Sequence, residues 1–317
     1  MKTKPRKVLI IKTGFSEFLD RGVSTTVSLG DVLICTSLLH LFKTDRVTWV
    51  TSWAAYELLQ NNPYIKSLLI FNGSIFQKLF DDKFDFIINL EKDIGICAFV
   101  SQLKAKKRFG FYFHPKKHDI ETYKLSTQYL LSGQENHKNI DRNALEILYE
   151  AVDQPWSGEG AILKRPRRPS IKYDIGFNYE VGTKWPTKAW PKERWQELHG
   201  LLSGKYAVSW QQGHKNLNKY IDWIDSCRLI ITSDSLGQVI AQALNKQVIA
   251  LFGATNPRRM QGIKNTHVIA SHLDCPYMPC YLHICRFDKF CMNEIKAQEV
   301  AQLCEKLLPK EELAVSV

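Results

Sequence analysis

The amino-acid sequence predicts an α/β protein made of two doubly wound parallel-sheet domains. Three observations lead there. Apolar runs of strand length alternate with segments of helical period along almost the whole chain. The alternation stops at a proline-containing basic stretch and then starts again. The 317 residues, 44% of them hydrophobic and 24% charged, suffice for two domains of about 150 residues each.

In the first half, residues 8–11, 47–50, 68–71 and 86–90 have the length and apolar continuity of buried strands. Residues 31–42, 52–60, 93–103 and 139–152 carry helical spacing, the last as a longer closing helix. Residues 153–170, with Pro155, Pro166 and Pro169, read as a linker between a domain at 1–152 and another at 171–317. In the second half, strands are expected at 175–178, 206–210, 229–232, 248–252 and 267–270. Helices are expected at 191–202, 217–225, 236–244 and 297–308. Ligands of such sheets bind beyond the carboxyl ends of the strands, so the turns after strands are the places to look for chemistry.

The net charge of +11 implies an anionic partner such as a phosphorylated glycolipid, a membrane surface or a nucleic acid. It is clumped at 104–108, 116–117 and 164–168, where a solvated basic surface is the favoured reading of any single clump. No segment matches a nucleic-acid module, so nucleic acid is not expected as the partner. No apolar run reaches membrane-spanning length and no leader pattern precedes residues 8–11. A cytoplasmic protein is expected, with contact at the inner face of the cytoplasmic membrane as one option.

Four turns carry candidate chemistry. After the first strand, Gly30-Asp31 opens a helix, and Asp31 fits two roles: a carboxylate that takes a proton from a hydroxyl nucleophile, or a helix N-cap. Residues 183–191 place Thr183, Lys184 and Lys188 before a helix that begins near Pro191. They suit a diphosphate, or form a tryptophan-rich turn with exposed lysines. Ser233-Asp234-Ser235 again lies between strand and helix and suits an anion or a ribose, or ordinary capping. Gly253-Ala254-Thr255-Asn256-Pro257 ends the next strand, where a glycine would let a ligand approach the backbone.

In order along the chain, these residues resemble glycosyltransferase family 9, the bacterial heptosyltransferases. The resemblance runs through residues 8–12, Gly30-Asp31-Val32-Leu33, Asn62-Pro63-Tyr64-Ile65, residues 84–91, Lys188-Ala189-Trp190-Pro191, Ser233-Asp234-Ser235 and residues 251–257. It implies the GT-B architecture: two Rossmann-like domains facing a central cleft, with the acceptor on the first and the nucleotide sugar on the second. It also implies an inverting reaction without a catalytic divalent ion. By resemblance, Asp31 is the general base and Lys188 the phosphate-binding lysine. Asp234, Ser235, Gly253 and Thr255 help hold the donor, assisted by Thr183 and Lys184. Gln211, Gln212 and His214 lie near the nucleoside, with Gln212 the contact expected here. Glu91, at a strand end of the first domain, is expected to orient the acceptor.

Two departures stand out. Residues 15–28 insert about a dozen residues before Gly30-Asp31, and Gly237-Gln238-Val239-Ile240 stands where the family carries a histidine.

Of eight cysteines, Cys35, Cys97, Cys227 and Cys304 sit singly in apolar contexts and read as buried small hydrophobes. Cys275, Cys280, Cys285 and Cys291 are spaced C-x4-C-x4-C-x5-C, without the C-x2-C knuckles usual for zinc. Structural zinc or iron and free thiols are both open, with disulfides the weaker reading in a cytoplasmic protein. The expected activity is transfer of heptose from ADP-heptose to a hydroxyl of a lipopolysaccharide-core or other glycan acceptor. The alternatives are another nucleotide sugar as donor, or a non-catalytic nucleotide-sugar-binding scaffold that kept the fold.

Overall fold

A computed structural model describes residues 4–15, 27–124, 127, 140–166, 169–260 and 262–309. The chain forms two compact units. One holds residues 1–167 together with Arg258–Lys264; the other holds Arg168–Pro257 and Asn265–Val317. The divide falls inside the stretch read as a linker. The return of Arg258–Lys264 to the first unit carries no pattern that sequence spacing reveals.

The first unit is built on a six-stranded sheet of order β3-β2-β1-β4-β5-β6. Its strands are β1 (Lys7–Ile11), β2 (Arg46–Thr51), β3 (Ile65–Ile70), β4 (Lys83–Asn89), β5 (Lys104–His114) and β6 (Asp119–Thr122). All neighbours pair in parallel except β5 with β6. The apolar run of β1 is buried between its neighbours, and Leu9, Ile11, Val50, Ile87, Ile96 and Val100 share one core cluster. The chain passes from β1 to β2 and β3 on one side and then to β4 on the other, so the strand order switches between β1 and β4.

The basic clump at 104–108 is the first half of β5. Lysine is a poor strand former, but pairing with β4 fixes the backbone, and the cations find acids: Lys106 meets Asp85 at 2.7 Å and Lys107 meets Asp153 at 3.1 Å. Helix α1 (Leu29–Cys35) continues as a 3-10 helix over Thr36–Phe42, so the single helix expected at 31–42 changes pitch partway. Of the insertion at 15–28, residues 16–26 lie outside the described residues. Its ends are joined by the Ser28 amide donating to the Gly14 carbonyl at 2.8 Å, which lets a long excursion leave and re-enter the fold at one point.

The second unit carries a five-stranded parallel sheet of order β11-β10-β9-β7-β8. Its strands are β7 (Tyr173–Asn178), β8 (Val208–Trp210), β9 (Cys227–Ser233), β10 (Gln247–Phe252) and β11 (Thr266–Ala270). Here the order switches between β7 and β9. Phe177, Trp190, Trp195, Leu229, Ile231 and Leu251 lie in its core with Cys304. Cys35, Cys97 and Cys227 are buried as well, as apolar context predicts. No helix among the described residues is long and apolar enough to cross a membrane.

Candidate functional site

In the first unit, polar groups collect at the switch point. Beyond β1, the amides of Thr13 and Gly14 donate to the same oxygen, Oε1 of Glu91, at 2.6 and 2.8 Å. Lys12 Nζ stands 3.5 Å from that oxygen and 3.4 Å from the Leu90 carbonyl. Glu91 follows β4 and is fully buried, at 0% exposure. Asn89 braces it: the Glu91 amide donates to Asn89 Oδ1 at 3.2 Å, and Asn89 Nδ2 donates to the Glu91 and Phe111 carbonyls. A buried carboxylate is tolerated only when paired and hydrogen-bonded, and Glu91 is both. The Glu91 carboxylate holds the turn after β1, so the acceptor-orienting role read from sequence would act through that turn.

Asp31 stands in the first turn of α1 and is half-buried. The N-cap position belongs to Ser28, whose side chain makes no capping bond. Of the two roles read from sequence, the N-cap is thus taken by another residue. The helix that carries Asp31 begins against the turn that Glu91 holds, through the Ser28 amide donating to the Gly14 carbonyl at 2.8 Å.

In the second unit, the structure joins Lys188 to Asp234. Lys188 closes the 3-10 turn Pro186–Lys188, and its Nζ lies 3.5 Å from Asp234 Oδ2, both side chains being mostly buried. Asp234 follows β9, one residue before the N-cap of helix α8 (Leu236–Ala243; α2 to α7 are Tyr56–Leu59, Ile75–Phe80, Ile94–Gln102, Ala144–Glu150, Lys192–Leu202 and Leu217–Asp225). Ser235 occupies that N-cap but does not cap: its hydroxyl takes a bond from Asn178 Nδ2 at 3.0 Å and meets Thr232 Oγ1 at 3.1 Å. Asn178, the last residue of β7, also donates to Thr232 Oγ1 at 2.7 Å and accepts from the Tyr220 hydroxyl at 2.5 Å. This buried network ties the ends of β7 and β9 together and leaves the first turn of α8 uncapped by any side chain. Such a helix start is disposed to receive an anion.

Three buried groups beside this turn have no hydrogen-bond partner among the described residues: Ser233 Oγ, Thr255 Oγ1, and both polar atoms of Gln238. Buried polar side chains are rarely left so, and their concentration at neighbouring strand ends marks the place where a polar ligand would be held. Gln238 lies in the segment where the family resemblance implies a histidine.

The remaining sequence candidates divide. Lys184 is half-buried on the turn leading to Lys188, whereas Thr183 is exposed and bonds to no described residue. Gln212 donates to Ser209 Oγ at 3.2 Å and to the Tyr173 hydroxyl at 3.4 Å, so its amide turns back along the sheet. The polar groups that do gather beyond β7 and β8 are Glu180, Gln211 and His214. The Glu180 amide donates to Gln211 Oε1 at 3.1 Å, and Glu180 Oε2 lies 2.8 Å from His214 Nδ1. Sequence reading passed over Glu180, Asn178 and Tyr220. Asn178 ends β7 and Glu180 follows it at the switch point, a signal available once strand order is known. At Gly253 a Cβ would sit 2.7 Å from both Cys291 Sγ and Met292 Sδ, so the packing of the cysteine segment by itself requires glycine there.

The cysteine segment is fastened to these same turns. The Cys280 and Tyr281 amides donate to the Ala254 carbonyl at 2.9 Å, and the Tyr281 hydroxyl accepts from the Asn256 amide at 3.1 Å. Thr187, next to Lys188, donates to the Leu282 carbonyl, and Trp185 meets the Tyr281 ring edge-on. Cys275, Cys280 and Cys285 are half-buried and Cys291 is buried, and none of the four is joined in a disulfide. Burial, then the charges of Cys280, Cys285 and Cys275, pushes the Cys291 thiol up to about 11, so the four lie within electrostatic reach. Among the described residues, no three His, Cys, Asp or Glu side chains converge as metal ligands.

Two parallel-sheet units with polar groups at their switch points are the architecture of the GT-B glycosyltransferases. Residues 212–291 match the family model "Glycosyltransferase family 9 (heptosyltransferase)". Over 46 residues it is 44% identical to lipooligosaccharide heptosyltransferase 2 of Haemophilus influenzae, a match spanning 14% of this chain and 13% of that relative. The fold is shared far more widely. The family 9 glycosyltransferase structure from Veillonella parvula is 17% identical with a TM-score of 0.67, covering 97% of this chain and 98% of that one. Escherichia coli heptosyltransferase WaaC, solved with ADP-2-deoxy-2-fluoro heptose, is 15% identical with a TM-score of 0.60, over 95% and 100% of the two chains. The iron-containing dodecameric glycosyltransferase TibC of enterotoxigenic E. coli is 13% identical with a TM-score of 0.57, over 97% of this chain and 77% of that one.

Proposed function

We propose that the protein is an inverting heptosyltransferase that moves heptose from ADP-heptose onto a hydroxyl of a lipopolysaccharide-core or related glycan. The observation that carries the reading is the Lys188–Asp234 pair beside the uncapped start of α8, an anion site within a glycosyltransferase sheet. The ligands named for the solved relatives, ADP and an ADP-heptose analogue, agree with a nucleotide sugar there.

The chemistry is a single displacement. The acceptor hydroxyl attacks the anomeric carbon of the donor as its proton passes to the Asp31 carboxylate. The bond from that carbon to the diphosphate oxygen breaks, its electron pair stays on the oxygen, and ADP departs. Lys188 and the amides at the start of α8 meet the charge that grows on the diphosphate. One in-line attack inverts the anomeric centre. The net positive charge suits a phosphorylated glycolipid acceptor and, with it, work at the inner membrane surface.

A transfer assay with ADP-heptose and delipidated core oligosaccharide, run beside ADP-glucose and UDP-glucose, tests the reading. Heptose transfer with inverted linkage supports it. Transfer from a different nucleotide sugar would replace the donor, and donor binding without transfer to any glycan would leave a nucleotide-sugar-binding scaffold.

A second, narrower reading is a structural zinc or iron at Cys275, Cys280, Cys285 and Cys291; it rests on their thiol chemistry and on one relative, since no three of these side chains converge in the structure. The donor set is chemically apt, since clustered thiolates prefer such metals, and one relative is iron-containing. With all four thiolates committed, the metal would stabilise the segment and take no part in the transfer. Elemental analysis of protein purified without added metal decides it. About one zinc or iron per chain supports the site, and four freely titratable thiols end it.

A further inference from the structure

Beyond the ends of β2 and β3 the first unit holds a pocket of about 370 Å³, away from the turn that carries Lys12, Glu91 and Asp31. Its walls include Trp53, Tyr56, Leu68, Ile70, Asn72 and Lys78. Trp53 directly follows Ser52 at the end of β2 and is 74% exposed, an unusual placement for the largest apolar side chain. It is not a loose surface residue. Its ring stacks on Tyr56 at 5.9 Å and 19°, which fixes an aromatic face along the pocket.

The polar groups around that face are ordered too. Asn72 Oδ1 accepts from the Ser74 amide at 3.0 Å and from the Ser74 hydroxyl at 2.7 Å, which leaves its amide nitrogen as a donor with no described partner. Lys78 is exposed and pairs with no acid among the described residues. A rigid aromatic face, one amide donor and one unpaired cation are the complement of a sugar ring. Its C–H face is apolar and packs on the negative face of an aromatic ring, while its edge carries hydroxyls and any acidic substituent.

We propose that this pocket is a subsite for the glycan acceptor. A pyranose ring stacks on Trp53, its hydroxyls meet Asn72, and an anionic substituent, phosphate or carboxylate, meets Lys78. The proposal rests on the glycosyltransferase reading for the name "acceptor", but sugar binding is measurable without it. Geometry favours the assignment. β1, β2 and β3 are parallel neighbours, so their carboxyl ends share one edge of the sheet. At the ordinary spacing of about 4.8 Å per strand, β3 lies roughly 10 Å from β1. A short oligosaccharide seated on Trp53 therefore reaches toward the turn that holds Asp31, and the pocket would read the sugar beyond the one that is glycosylated.

The test is calorimetric titration of the full chain with delipidated lipopolysaccharide core oligosaccharide, with and without phosphatase treatment, and with ADP in parallel. Trp53→Ala should weaken oligosaccharide binding about tenfold to a hundredfold, the loss of one aromatic stacking partner. Trp53→Phe, which keeps a ring, should recover most of it. Lys78→Gln should weaken the phosphorylated probe and leave the dephosphorylated one unchanged; equal weakening of both would assign the anionic contact to a carboxylate. ADP affinity should stay at the wild-type value in every variant, and an unchanged far-UV circular dichroism spectrum and Tm show that the first unit folds. Equal oligosaccharide affinity in wild type and Trp53→Ala, or no oligosaccharide binding by the wild type, would overturn the subsite. Failure of the wild type to bind ADP would instead strike at the donor reading.

Discussion

Replacing Lys188 by alanine probes the step in which the donor breaks. Nζ of Lys188 lies 3.5 Å from a carboxylate oxygen, in a site where the two side chains are 15% and 25% exposed. At an effective dielectric of about 20, unit charges at that separation interact by roughly 5 kcal/mol. A diphosphate is already anionic when bound, so only the charge that develops on the leaving oxygen raises turnover. If that is about half a unit, the lysine contributes roughly 2–3 kcal/mol, or about a hundredfold in kcat. This agrees with the loss of about 10²–10³ on removing one preorganised donor elsewhere. The variant has a second consequence, because Asp234 is left without its cation and repels the incoming diphosphate. The double variant Lys188→Ala/Asp234→Asn should therefore recover much of the ADP affinity while kcat stays low. Steady-state transfer kinetics and ADP calorimetry on the three proteins separate the two effects. A wild-type kcat in Lys188→Ala, with only KM raised, would refute the reasoning and reduce the lysine to a ground-state contact.

Asp31→Asn should abolish most turnover and leave ADP affinity unchanged, since the lost step is proton removal on the other unit; wild-type turnover would remove Asp31 from the chemistry. Glu91→Gln keeps an oxygen for the Thr13 and Gly14 amides but removes the carboxylate charge that faces the buried Lys12 cation. It should cost roughly 3 kcal/mol and lower Tm by about 6–12 °C, with part of the loss recovered in Lys12→Met/Glu91→Gln. An unchanged Tm with a raised acceptor KM would return Glu91 to the role first read for it. Gly237→Ala sets two effects against each other. Helix propensity favours alanine by about 1 kcal/mol, but the new Cβ would lie 2.3 Å from the Tyr220 hydroxyl and 2.5 Å from Asn178 Nδ2. The clash should win, with a net loss of about 1–3 kcal/mol and weaker ADP binding as Ser235 loses its partner; a rise in Tm would show that the network yields freely.

The strands and helices of the second unit were legible because each is an apolar run or a clean helical period. The helix expected at 217–225 spans Leu217–Asp225 in the structure, and β9 and β10 extend the runs at 229–232 and 248–252 by a residue or two. β5 was not legible: Lys104, Lys106, Lys107 and Arg108 look like a solvated charge run until β4 and its acids are beside them. The helix Ile75–Phe80 is too short for its period to register. Among site residues, Lys188 and Asp234 could be named from the turns that bear them, yet their pairing spans 46 positions of sequence (234 − 188) and no local spacing encodes it. Glu91 shows the opposite case. Its place at a strand end was visible, but its burial depends on the amides of Thr13 and Gly14, which come from the other side of the switch point. Gly253 was noticed for the freedom glycine gives a ligand, and the steric demand of Cys291 and Met292 on the same position could not be seen in local sequence.

That segment has a thermodynamic consequence. It grips the turn of Lys188 through Thr187 and Trp185, and the turn of Thr255 through the Ala254 carbonyl and the Asn256 amide. Irregular segments held by a few bonds open locally at a fraction of the global unfolding free energy. Each opening releases both turns at once, so the apparent affinity for the donor is the intrinsic affinity scaled by the closed population. Linkage makes the effect mutual: a donor that prefers the closed form slows hydrogen exchange at the Cys280 and Tyr281 amides by the same factor. Anything that clamps the segment, thiolate ligation included, would tighten donor binding without touching the donor.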